Sequence, residues 1–388
     1  MIVSKAINIG FVPLTDAAPL ILAVEMGFAE EEGLSINLVR EHNWSSVRDK
    51  LSFGVLDGAH ILLPMALAMS LGLAPAPNKI DIPIILNMNG NSFVAGNKLT
   101  KKIKAVGGVF GKTKDIGEAL ITLTQESPIR VAVPFLQSMH VTMLRHLISQ
   151  LGHTPETVFD FHVCAPSSIE MALNTGNVDA FMVGAPWATN AIDNGSGHLM
   201  LTSNSIWQGA PEKAFGIRRQ WLDEHRNEAE QMVRVLYRAA NWVSNPSNAS
   251  VASEILSNPK YLDLDTNHIE SNLRGDILVK SNGMTINEPL ALQFDAKRIG
   301  FPWKSTAAWI AEQNAPYWGV SIEDARTIAR EACRTDIYRS ALESVKAPLP
   351  SANEKVEGSL KARTSVSGFH EPIFGPDAFF DGITFDVA

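Results

Sequence analysis

The sequence predicts an α/β protein of two lobes with a ligand cleft between them. Three observations carry this reading. Strand-like and helical segments alternate from the first residues onward, the same order of segments recurs at a fixed offset of 122, and 388 residues exceed what one hydrophobic core usually serves.

Ala6 to Phe11 alternates around Ile7, Ile9 and Phe11, the pattern of a half-buried strand, and Thr15 and Asp16 stand as N-cap before a helix expected over Ala17–Met26. A strand follows at Ser35–Arg40, a helix at Ser45–Phe53, a strand at Gly58–Leu63, a helix at Met65–Leu71 and a buried strand at Ile82–Leu86. This alternation implies a parallel sheet covered on both faces.

In the repeat, Ser45, Ser46, Val47, Leu51, Gly54, Asp57, Ile61 and Pro64 correspond to Ser167, Ser168, Ile169, Leu173, Gly176, Asp179, Val183 and Pro186. Ile7, Ile9 and Phe11 fall opposite Ile129, Val131 and Val133. Residues 7–66 and 129–188 therefore read as one β-α-β-α-β-α unit used twice. In each copy the Ser is expected to cap a helix, the Gly to end it and the Pro to open the next one. Parallel sheets bind ligands beyond the C-terminal ends of their strands, where helix N-termini present free N–H groups, so two facing copies make a cleft.

Asn87–Asn97, rich in Asn and Gly, suits a crossing between lobes better than a sheet interior, and Ser203–Pro211 suits the return before a strand at Lys213–Arg218. From Trp221 to about Leu342 the sequence reads as mainly helical. The expected division is residues 1–88 with 212–345 in one lobe, 89–211 in the other, and 346–388 as linker and tail. Ala347–Lys361 has linker composition. The tail carries Phe369, Phe374, Phe379, Phe380 and Phe385, expected to pack on their own domain, with docking to a partner as the alternative.

A net charge of -8 opposes contact with a nucleic-acid backbone, and it requires that any anion be captured by a few well-placed donors. Cys164 and Cys333 lie in apolar or helical contexts and read as small core residues. The first residues run directly into a strand without a secretion-signal pattern, and no run of about 18 apolar residues reads as a membrane span. Nucleophile elbow, P-loop, dinucleotide fingerprint and zincin helix are all missing, and the histidines do not group at metal spacings, so neither catalysis nor a cofactor is expected.

Polar residues at cleft positions remain. His140 follows the strand Arg130–Pro134 at a helix start, and Asn43 and Trp44 hold the equivalent edge of the first copy. Asn89 and Asn91 flank Gly90 on the crossing, and Lys213 begins the strand after the return. Each has a plainer reading: a hydrogen-bonded structural His, a Trp covering a helix turn, Asn serving turn geometry, a surface Lys paired with Glu212 or solvent.

At Thr15-Asp16-Ala17-Ala18-Pro19, Arg40-Glu41-His42-Asn43-Trp44, Arg48-Asp49-Lys50-Leu51 and Asp57-Gly58-Ala59-His60-Ile61-Leu62-Leu63-Pro64 the chain resembles the nitrate- and bicarbonate-binding proteins of ABC importers. Leu86-Asn87, Val183-Gly184-Ala185-Pro186-Trp187 and Pro211-Glu212-Lys213-Ala214 continue the likeness, which covers roughly residues 5–345 in one order. The resemblance implies a periplasmic-binding-protein-like fold of type II, the Venus flytrap. It also implies an ion held between the lobes by Trp44, His140 and Lys213, with the shorter amides of Asn89 and Asn91 where the family has Gln. A lysine at 213, where the calcium-assisted bicarbonate binders carry an acid, favours nitrate or nitrite. On this view its removal is expected to weaken affinity and leave the fold intact.

Two features are similar instead to the cytoplasmic NasS-type nitrate/nitrite sensors, which pair with an RNA-binding antitermination regulator of the NasT type. They are the lack of a leader and Gly-Ala-Pro-Trp in place of Gly-Glu-Pro-Trp, and the tail Phe379-Phe380-Asp381-Gly382 adds a short match. The first expectation is thus a cytoplasmic sensor. The second is an importer's binding subunit lacking its leader. The third is an enzyme like the thiamine-pyrimidine synthases, which share the two-lobed fold.

Overall fold

In a computed structural model that describes residues 6–124, 127–369 and 372–387, the alternating segments build two sheets. β1 (Ile7–Phe11), β2 (Ile36–Arg40) and β3 (Gly58–Leu62) run parallel, with helices between them, before β4 (Ile80–Asn89). Gly90 then leads into β5 (Asn91–Gly96), followed by β6 (Ile129–Val133), β7 (Phe159–Val163), β8 (Ala180–Gly184) and β9 (Gly197–Thr202). The chain returns as β10 (Pro211–Arg218), antiparallel between β3 and β4. Later come a hairpin, β11 (Asp276–Lys280) with β12 (Met284–Asn287), and the short β13 (Leu292–Gln293). The first sheet has the order β13-β4-β10-β3-β1-β2 and the second β7-β6-β8-β5-β9.

The repeat survives to the level of single hydrogen bonds. The Asp57 carboxylate accepts from the Asn8 backbone N–H at 3.0 Å, and Asp179 accepts from the Arg130 N–H at 3.1 Å, clipping the start of β3 to β1 and the start of β8 to β6. Gly54 and Gly176 end their helices at φ of 73° and 74°, a left-handed conformation that a side chain would strain.

Several local expectations are corrected. The helix Trp44–Ser52 is capped by Asn43, whose carbonyl oxygen accepts from Ser46 N–H at 2.9 Å, and Ser45 lies inside the helix. Ser167 sits in a 3-10 turn, Pro166–Ser168. Thr15 and Asp16 form another such turn before the helix Ala18–Glu25, because the Asp16 carboxylate is drawn to the buried Lys213 ammonium rather than to the helix end. Asn87–Asn97 is not a loop: β4 runs through Asn89 and β5 starts at Asn91, leaving Gly90 at φ 100° as the whole crossing. The amides are absorbed locally, since Asn87 donates to the Asn89 carbonyl at 3.0 Å and accepts from Lys213 N–H at 3.0 Å.

From Trp221 to Leu342 the regular structure is helical except for the β11–β12 hairpin and β13. Ile277, Leu278 and Val279 of β11 pack with Val94, Ile192 and Leu199 of the second sheet's layer. A second seam lies behind the crossings, where the helix Met139–Gln150 meets the helix Lys304–Trp318. There Thr142 and Asn314 hydrogen-bond reciprocally at 3.2 and 2.9 Å while fully buried.

The stretch expected as a linker is anchored. Glu357 is buried and accepts from Ser305 and Thr306, each at 2.7 Å, and Leu349–Pro350 pairs with Gly368–Phe369. The tail packs on its own chain: Phe379 stacks on Trp207 with centroids 4.6 Å apart and lies 5.1 Å from Trp309 and 5.2 Å from His146. The side chain of Phe369 falls outside the described residues. Cys333 is buried and Cys164 half-buried, both as free thiols.

Candidate functional site

The strand order puts β10 beside β3, so Glu212 and Lys213 face the turn after β1, where Asp16 sits, and His60 in β3. Trp44 opens the helix after β2. From the other half come Asn91, the first residue of β5, and His140, at the start of a helix whose cap is Ser138. The halves are shut over these residues by two hydrogen bonds at the rim. Thr15 N–H donates to the Ala185 carbonyl at 2.9 Å, and the Trp187 indole donates to the Pro13 carbonyl at 2.9 Å.

Lys213 is completely buried, and its ammonium donates to Asp16 Oδ2 at 2.7 Å and Glu212 Oε1 at 2.8 Å. The other oxygen of Asp16 meets His60 Nε2 at 2.8 Å, and the other oxygen of Glu212 accepts from Asn91 Nδ2 at 2.6 Å. His140 Nδ1 lies 3.7 Å from Glu212 Oε1, and the Lys213 nitrogen is 5.5 Å from the Trp44 ring centre.

Burial pushes the Asp16 carboxyl upward, but Lys213 and His60 together outweigh it and hold it down at about 2. For Glu212 burial wins over Lys213 and the value is raised. His60 is lowered by burial against the pull of Asp16, and His140 is driven well down by burial with Lys213 adding to it, so both rings are neutral near pH 7. For Lys213 burial works downward, yet the two carboxylates raise it and keep it charged.

Buried polar atoms normally find partners. Here both ring nitrogens of His140, Trp44 Nε1, His60 Nδ1, Asn91 Oδ1 and Thr15 Oγ1 are buried without a hydrogen-bond partner in the protein. Such groups at one closed interface suit a small polar ligand. Among the described residues, no group of three or more His, Cys, Asp or Glu is placed to hold a metal, and no helix is long and apolar enough to cross a membrane. An open groove of about 800 Å³ lies elsewhere, beside Arg130 and Asp179, where both charges are already paired.

Of the residues singled out from sequence, Trp44, Asn91, His140 and Lys213 come together and Asn89 does not. Asn89 Nδ2 donates to Asn204 Oδ1 at 3.2 Å and to the Leu290 carbonyl at 3.0 Å, which turns it toward the crossing. Lys213 is neither the surface lysine of the plain reading nor a cation free for a ligand, since two carboxylates engage it. Of the three N–H bonds of an ammonium, one is left over. The sequence reading missed Asp16 and His60 as site residues and had Glu212 only as the partner of a surface Lys213, a pairing that the structure keeps but buries. Glu212 carried a signal, an acid in a strand buried on both faces, which demands a partner.

The chain matches the NMT1-like family over residues 3–257. It is 28% identical to the nitrate/nitrite binding protein NrtA of Synechocystis sp., across 98% of this chain and 82% of that one. To the bicarbonate-binding protein CmpA of Synechococcus elongatus it is 22% identical, across 98% and 84%. The crystal structure of the periplasmic nitrate-binding protein NrtA from Synechocystis PCC 6803 superposes with a TM-score of 0.85 at 26% identity, covering 98% of this chain and 95% of that one. The fold is therefore the α/β fold of periplasmic binding proteins, and these relatives are named for binding rather than for catalysis.

Proposed function

We propose, for a chain that belongs to the NMT1-like family, that the closed cleft binds a small monoanion, nitrate or nitrite ahead of bicarbonate. The observation that carries this is the set of unpartnered N–H donors on His140 and Trp44 around the remaining N–H of Lys213. Full-length similarity to nitrate/nitrite binding proteins supports it. Trp44, Asn91, His140 and Lys213 are the proposed contacts, and Asn89 shapes the crossing. Residues 1–88 with 212–345, and 89–211, are the proposed moving bodies, with the β11–β12 hairpin carried by the second. An ion at 100 times its dissociation constant stabilises the fold by about 2.7 kcal/mol. The test is the melting temperature in millimolar nitrate and nitrite against chloride; identical values in all three would reject the reading.

The cellular role proposed is sensing in the cytoplasm. Ion-driven closure weakens a complex with an RNA-binding antitermination regulator, and by linkage the regulator weakens ion binding equally. The Gly184-Ala185-Pro186-Trp187 sequence and the acidic balance, suited to a basic partner, support it. A second reading, the binding subunit of a nitrate importer, is favoured by the 98% span shared with NrtA. Gel filtration with the regulator, with and without nitrate or nitrite, separates them: a complex lost on adding ion supports sensing, and no complex supports transport.

A further inference from the structure

We propose that the cleft takes up one proton with each monoanion, held by the His140–Glu212 pair; this rests on the anion-binding reading above. The argument starts from a charge count. Among the described residues, the titratable groups brought together there are Asp16 from the turn after β1, Glu212 and Lys213 from β10, His60 from β3 and His140 from the second half, the two rings being neutral. Burial raises the Glu212 carboxyl, but both of its oxygens accept hydrogen bonds as an ionised carboxylate does, so two carboxylates against one ammonium leave the buried cluster negative before any anion arrives. A second negative charge in a space shut off from water is strongly opposed.

The geometry supplies the remedy. Glu212 already accepts from Lys213 on one oxygen and from Asn91 on the other, and so is arranged as a carboxylate. His140 stands 3.7 Å from it with both ring nitrogens unpartnered. A solvent proton added to His140 completes both sides of the ring: Nδ1–H turns to Glu212 and Nε2–H to the anion. In the free protein burial and the nearby Lys213 keep that proton off His140. The proton therefore arrives with the ion.

The measurement is isothermal titration calorimetry of nitrate and nitrite in HEPES and in Tris, whose ionisation heats differ, between pH 6.5 and 8. The expected result is uptake of one proton per ion, and a dissociation constant that rises about tenfold per pH unit. Glu212→Gln lifts the need for the proton: binding is expected without uptake, and tighter than wild type at pH 8. Asn91 accommodates the change by turning its amide, whose oxygen is unpartnered, toward the new N–H. Wild-type binding with no proton uptake overturns this inference and leaves anion binding standing. No heat and no melting shift with either ion overturns the anion reading itself. If Glu212→Gln does not fold, the wild-type proton count decides alone.

Discussion

Lys213 and Asp16, 197 residues apart in the chain, form a fully buried ion pair of 2.7 Å that ties the returning strand to the turn after the first one. Removing one partner of such a pair leaves the other charged and unpaired, at a typical loss of about 3–5 kcal/mol. Lys213→Ala should therefore lower the unfolding free energy by that amount in urea titrations, contrary to the sequence-level expectation of an intact fold. A loss below about 1 kcal/mol would show that water or rearrangement relieves the carboxylates.

The pH dependence of Asp16 has a definite sign. Its carboxyl is held at about 2, below the ordinary aspartate range, so its contribution is present above about pH 4 and disappears as pH falls toward 2. The size is roughly 2 kcal/mol. Comparing wild type with Asp16→Asn should show the difference between their stabilities shrinking across that window.

Trp44 brings an indole N–H with no partner in the protein. Trp44→Phe retains most of the ring packing and removes the donor, so nitrate affinity should fall about ten- to a hundredfold by calorimetry. Unchanged affinity would place the ion elsewhere in the cleft.

His146 reports on the tail. Burial lowers it to about 4, with Asp381 opposing, and its ring sits among Trp309, Phe379 and Phe380. An unfolded histidine protonates near 6.5, so stability is lost as pH drops from there toward 4, by roughly 3 kcal/mol for this residue. His60 and His140 act in the same direction, and so the test is a difference. His146→Phe should flatten that limb relative to wild type, and parallel curves would discard the assignment.

Phe379 packs against both Trp207 and Trp309, whose rings also touch each other. Phe379→Ala should destabilise by about 3–5 kcal/mol and change the tryptophan emission. A loss under 1 kcal/mol would mark the tail as loosely held.

What could be read from sequence follows from what repeats in it. The matched strands Ile7–Phe11 and Ile129–Val133, and the correspondence of Asp57 with Asp179 though not the backbone bonds they accept, were legible because apolar alternation and fixed spacing are local signals. Trp44, His140 and Lys213 were placed through motif resemblance. Asp16 and His60 were not recognised, because their roles depend on β10 inserting antiparallel beside β3, a long-range pairing with no local trace. Asn89 misled for the opposite reason: two residues apart, it and Asn91 would share one face of a regular strand, but Asn89 at φ 61° and Gly90 at φ 100° break the extended run and turn the two amides apart.

The rim contacts of Thr15 with Ala185 and of Trp187 with Pro13 also bear on the tempo of exchange. Asp16, His60 and Lys213 all ride on the first sheet, whereas His140 belongs to the second, so parting the halves separates the site unevenly and leaves the ion pair whole. For an ion bound as proposed, escape would wait on the breaking of those two rim bonds and a parting of the proposed moving bodies. Residence time is then a property of the door, and variants at Trp187 should alter the off-rate while touching no bond to the ion.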